Sequence, residues 1–113
     1  MDADTPRIPS DFTPVPGTLP AWMDVRQICR DSKRFVALHT LSTFNAVAIN
    51  DGQRVYTTDD RDGEFRRHFR QLLNGSARKA ADPAEAALVY DCESHHIWLA
   101  PRPSAIQFLN HQA

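Results

Sequence analysis

The apolar positions of this chain change period several times, and each change marks an element. Trp22, Val25, Ile28 and Cys29 fall at i, i+3, i+6 and i+7, which is one face of a helix over residues 21–31. Pro20 stands just ahead of it, where a helix tolerates proline. Arg30 and Lys33 stand near its end, where cations suit the helix dipole. Phe35-Val36-Ala37-Leu38-His39 then reads as a mostly buried strand, and Phe44–Ile49 as the next. Asn50-Asp51-Gly52 accommodates positive φ and predicts a tight turn. Arg54–Thr58, rich in β-formers, pairs back to complete a three-stranded meander.

The period returns to helical after an acidic run. Asp59, Asp60, Asp62 and Glu64 suit the exposed amides of a helix start. Phe65, Phe69, Leu72 and Leu73 follow at i, i+4, i+7 and i+8, and Asn74-Gly75 closes the helix as a cap pair. Ser76–Ala81 is a small, basic loop. Asp82-Pro83-Ala84-Glu85 has the form of a helix start and predicts a short helical turn before a strand at Leu88-Val89-Tyr90. Asp91–Ser94 is a turn and His95–Ala100 the returning strand, stopped by Pro101 and Pro103. Ser104 then caps a last helix through Ala105, Phe108 and Leu109. The order is α-β-β-β-α-β-β-α. Antiparallel runs rather than βαβ units make the class α+β, with a sheet of about five strands.

Residues 1–20 break every one of these patterns. They hold Pro6, Pro9, Pro14, Pro16 and Pro20, five of the eight prolines. Such a stretch excludes a helix or a central strand and predicts an extended or disordered arm ahead of one domain over residues 21–113. Ile8, Phe12, Val15 and Leu19 could lay this arm on the domain or on a partner.

Composition narrows the function classes. Thirteen basic and fourteen acidic residues leave a net charge of −1, so nothing global draws the chain to nucleic acid or an anionic membrane. The same near-neutrality is compatible with a homodimer. No apolar run reaches the ~20 residues that span a bilayer, and the N-terminus has no secretory pattern. Cys29 and Cys92 then read as free thiols, and the chain as cytoplasmic.

Candidate chemistry is sparse, and no motif demands a cofactor or a metal. Asp60-x-Asp62-Gly63 has the look of a calcium loop, but the closing glutamate is absent. His95 and His96, with Asp91, Cys92 and His39, are residue types that bind zinc or move protons. As neighbours on a strand the two histidines would point to opposite faces. Either cysteine could serve as a nucleophile only with a histidine in reach. Arg66, Arg67, Arg70, Arg78 and Lys79 form a basic stretch that could meet phosphates, beside acids that would repel them. Ile97 and Trp98, like Val55 and Tyr56, put large side chains on both faces of the sheet, so both faces need cover from helix, arm or partner.

The element order, with Leu72-Leu73-Asn74, Ala87–Tyr90 and Ile97-Trp98-Leu99, resembles small secretion chaperones that dimerise and wrap an extended segment of an effector. The proline-rich arm departs from that family. In size and lack of motifs the chain is also similar to small immunity proteins and phage-encoded inhibitors. The absent catalytic signature, the two-faced sheet, the aromatics and the arm, in line with these resemblances, point to a non-catalytic module that docks onto another protein as inhibitor, immunity protein, chaperone or adaptor. Phe12, Tyr56, Tyr90 and Trp98 are the expected anchors. The alternatives are a nucleic-acid-binding regulator using the basic stretch and a small enzyme using His95 or His96.

Overall fold

The computed structural model describes residues 8–15, 34–41, 46–75 and 85–111. Its strands are β1 (Thr13–Val15), β2 (Phe35–Thr40), β3 (Ala46–Asn50), β4 (Val55–Asp59), β5 (Ala86–Asp91) and β6 (Ile97–Pro101). A short 3-10 turn, Arg61–Gly63, leads into α1 (Glu64–Gly75), and α2 (Arg102–His111) follows β6. The strands form one antiparallel sheet in the order β1-β6-β5-β2-β3-β4. The class is α+β, and the sheet has six strands where the pattern predicted about five. The expected helix over 21–31, the start of the predicted strand at Phe44 and the loop after Gly75 lie outside the described residues.

The extra strand comes from the arm. Pro14 lies opposite Trp98, and Thr13 and Val15 flank it opposite Leu99 and Ile97. Proline has no amide for a ladder, so it is confined to sheet edges, and β1 is an edge. The bonds to β6 therefore fall to Thr13 and Val15. This edge position is the one strand role that the proline pattern leaves open.

Alternation along the strands sends side chains to two cores. Val36, Leu38, Val47, Ile49, Leu88, Tyr90, Ile97 and Leu99 share one face, and Phe65, Phe69 and Leu73 of α1 close over it. Phe35, Ala37, Ala87, Val89 and Ala100 share the other, closed by Ala105, Phe108 and Leu109 of α2 and by Phe12 of the arm. The cover expected on both faces is therefore supplied by the chain itself. The central strand β5 is buried at every residue. Such a strand selects small or branched apolar residues, which suits it to begin at Ala86. Of the helical turn predicted over residues 82–85, residues 82–84 lie outside the described residues.

Two boundaries near the end of the chain differ from the pattern. His95 has φ of 65°, the left-handed region, so β6 starts at Ile97 and not at His95. Pro103 does not bar the helix. It sits in the first turn of α2, where its missing amide would have no intrahelical partner anyway. Ser104 therefore lies inside the helix rather than at its cap.

Each helix is held at a defined place. The buried Asp60 carboxylate accepts from the amides of Phe65 at 2.8 Å and Arg66 at 3.1 Å, which caps α1. The acidic run thus acts at a helix start, as its position predicts. At the far end of the sheet, Arg102 donates to the carbonyls of Ala86 and Thr40, joining the start of α2 to β5 and β2. In the β3–β4 turn, Asp51 Oδ1 accepts from the amides of Gln53 and Arg54 at 2.8 and 2.7 Å. Gly52 there has φ of 96°, and an added Cβ would come within 3.3 Å of the Leu109 carbonyl oxygen. Only glycine lets this turn meet the end of α2.

Candidate functional site

The densest polar cluster is the turn joining β5 to β6. Asp91, buried at the end of β5, accepts from Arg34 through both oxygens, Nε to Oδ1 and Nη2 to Oδ2, each at 3.1 Å. Its oxygens also accept from the Ser94 hydroxyl at 2.7 Å and the Glu93 amide at 2.9 Å. Burial alone would push this carboxyl up, but Arg34, Ser94 and the Glu93 and Ser94 amides outweigh it and hold Asp91 below the usual carboxylate range. Arg34 Nε lies 2.9 Å from Glu93 as well, so two carboxylates share its charge. The Cys92 amide donates to the Arg34 carbonyl at 2.7 Å, which ties the turn to the start of β2.

Two aromatics flank the turn on opposite faces. Tyr90 Oη lies 2.5 Å from His95 Nδ1. Burial, then the nearby Asp91 charge, raises the Tyr90 pKa, so the phenol keeps its proton and donates. His96 meets the Trp98 ring edge-on at 5.9 Å, and Trp98 in turn faces Phe35 at 6.4 Å. His95 and His96 are thus both exposed but turned to different neighbours. Their divergence comes from the turn geometry rather than from strand alternation.

Two of the partners expected for the histidines, Cys92 and His39, are not available to them here. Cys92 is disulfide-bonded, which corrects the free-thiol expectation. The chain's other cysteine, Cys29, lies outside the described residues. A disulfide sulfur cannot act as the thiolate nucleophile. His39 follows Leu38, which pairs with Leu88, so it stands at the opposite end of β2 from Asp91. There burial, outweighing its bond to the Thr40 carbonyl and aided by Arg102, holds His39 below the ordinary value. Among the described residues no three His, Cys, Asp or Glu side chains converge as metal ligands.

The basic stretch is split. Arg66 is half-buried and donates to the Leu41 carbonyl at 2.9 Å, while Arg67 donates to the Asp62 carbonyl. Arg70 is exposed, and Arg78 and Lys79 lie outside the described residues.

The four expected anchors also divide between the faces. Phe12 is buried against Phe108, with Trp98 packed beside the same core. Tyr90 is buried and Tyr56 half-buried on the α1 face. The structure pairs Phe12 with Trp98 and Tyr56 with Tyr90, and brings no single surface out of all four.

A different feature was not legible as a site in the sequence, the outer edge of β4. The Asp51 amide donates to the Arg54 carbonyl at 3.1 Å, which sets the phase of the β3–β4 ladder. In an antiparallel pair the bonded positions alternate. Tyr56 and Thr58 therefore turn their backbone groups to β3, while Val55, Thr57 and Asp59 turn theirs outward. Among the described residues no strand lies beyond β4. Val55, 60% exposed, is the one large apolar side chain exposed among them. Strand order across a sheet is not written in a local pattern, so nothing near this strand marks it as the outermost.

Comparison of the chain with protein-family models, with curated proteins and with solved structures finds no match. The resemblance to secretion chaperones therefore rests on element order alone. Among the described residues no helix is long and apolar enough to cross a membrane.

Proposed function

We propose that this chain is a non-catalytic protein-binding module that takes an extended segment of a partner along the outer edge of β4. One observation carries the reading. β4 offers the outward backbone groups of Val55, Thr57 and Asp59 beside an exposed Val55. Strand addition uses such an edge, with the main chain giving affinity and alternate side chains giving specificity. Both sheet faces are already closed by α1, α2 and the arm, which directs docking to the edge. Inhibitor, immunity protein, chaperone and adaptor are four jobs that this mode of binding serves. A second copy of the chain could occupy the same edge.

The nucleic-acid reading loses Arg66 to the Leu41 carbonyl, and the enzyme reading loses Cys92 to its disulfide. The disulfide also favours an oxidising compartment over the cytosol expected from the sequence.

The test uses a tagged chain and its Thr57→Pro variant in parallel capture from host extract. Residue 57 turns its amide outward, so proline there spares the β3 ladder while blocking an incoming strand. A stoichiometric, nuclease-resistant partner held by the parent and released by the equally stable variant supports the reading. Equal capture by both chains removes the edge from consideration.

A further inference from the structure

The arm offers a second and independent observation, on the opposite edge of the sheet. β1 is only three residues long, and it pairs with Ile97, Trp98 and Leu99 but not with the rest of β6. Pro14 stands opposite Trp98, which turns its backbone groups to β5, so only Thr13 and Val15 bond β6 and the backbone hold is short. The side chains do the remaining anchoring. Phe12 is buried edge-on against Phe108 at 5.2 Å, with Ile8 packed on the same cluster. Val15 reaches the opposite core, beside Ile97. The Phe12 amide closes a turn onto the Pro9 carbonyl, so residues 9–12 form a compact loop of their own.

The cleft that Phe12 fills does not depend on Phe12 for its walls. Phe35 meets Phe108 edge-on at 5.0 Å and Trp98 at 6.4 Å, joining β2, α2 and β6 without any atom of the arm. A preformed apolar cleft beside a sheet edge is how peptide-binding strands are received. We infer that the outer edge of β6, with this cleft, is a binding site for an extended segment of a partner protein, and that residues 8–15 are its resident and displaceable occupant.

The occupant shows what the site accepts. A large aromatic sits at the Phe12 position, and an aliphatic residue three places on reaches the other face. Proline is tolerated between them where Pro14 stands. A competing segment has one advantage over the arm. It can run on along β6 to Pro101, whereas β1 stops opposite Leu99. Its handicap is that the arm is tethered and competes at a high effective concentration. Displacement therefore selects segments with a longer strand. This site is separate from the β4 edge, so either can fail without the other.

The experiment uses the full chain, its Phe12→Asp variant, and a synthetic peptide of residues 8–15, followed by amide NMR. Aspartate in the cleft ejects the arm. The expected result is saturable shifts at Ile97 and Leu99 in the variant, with binding to the parent at least about tenfold weaker because its site is occupied. The same peptide carrying Phe12→Asp should bind neither chain. A folded variant that binds no peptide overturns the proposal, as does equal binding to parent and variant. Thr13→Pro, which removes a ladder amide, is the second variant if Phe12→Asp fails to fold. Loss of the fold in both also overturns the proposal, because a displaceable segment cannot be what holds the core.

Discussion

Arg34 and Asp91 meet in a two-pronged pair, with Nε on Oδ1 and Nη2 on Oδ2 at 3.1 Å each. They stand 57 residues apart in sequence, and their meeting pins the start of β2 to the end of β5. Removing the guanidinium leaves a buried carboxylate with too few partners. Breaking a fully buried pair costs about 3–5 kcal/mol. Arg34 keeps 31% of its side chain exposed, so Arg34→Gln should cost less, about 2 kcal/mol by urea denaturation at pH 7.

The pH dependence of stability should have two limbs. His39 is held below its ordinary value of 6.5, so its contribution is full above that pH and is lost as the pH falls toward its lowered folded value. Asp91 is held below 3.8, so its contribution is full above that pH and is lost below it. Urea midpoints measured from pH 8 to pH 2 should show both. His39→Gln should erase the first limb alone, and Arg34→Gln should shrink the second, because the folded Asp91 value then rises toward the unfolded one.

Asp60 caps α1 with both oxygens while buried. Asp60→Ala should destabilise the fold by about 1–2 kcal/mol, and Asp60→Asn by less, because the amide oxygen still accepts one bond. Hydrogen exchange should show the loss first at Phe65 and Arg66. Unchanged protection there would remove the cap from the account.

Gly52→Ala should be unfavourable for two reasons that add. Its φ of 96° strains an L-residue, and the new Cβ would press on the Leu109 carbonyl oxygen, a backbone atom with little room to give. A loss of about 1–2 kcal/mol is expected. Leu109→Ala in the same background should not recover it, because the obstacle is backbone.

The Cys92 disulfide should be worth about 2–4 kcal/mol. Thiol titration of the folded, unreduced protein should find no reactive thiol, and Cys92→Ser should lower the urea midpoint as much as reductant does. Two titratable thiols in the folded chain would return Cys92 to the free-thiol reading.

Much of the fold could be read from local pattern. The stripe of Phe65, Phe69, Leu72 and Leu73 predicted α1, and Asn50-Asp51-Gly52 predicted the turn between β3 and β4, because both signals reside in a few adjacent residues. What could not be read depends on distant partners. Pro14 reads as unfit for a central strand, but nothing near it says that β6 would leave an edge to fill. Phe12 reads equally well as an anchor for a partner or for the chain, and its contact with Phe108 is visible only in the fold. His95 looks like the first residue of a strand until its left-handed backbone is seen. The β4 edge escaped for the same reason, since Val55 and Thr57 have ordinary strand character and only the final strand order leaves them outermost.

That strand order also has a kinetic consequence. β2, β3 and β4 form one ribbon of neighbours in sequence, and β5 and β6 another. Within the sheet, among the described residues, strand pairing joins the ribbons where β2 meets β5, across α1 and the segment on either side of it. Closing so long a loop loses chain entropy before the contacts along the join reward it. Substitutions at Ala37 and Val89, which face each other across that join, should therefore slow refolding, whereas those in β4 should mainly speed unfolding.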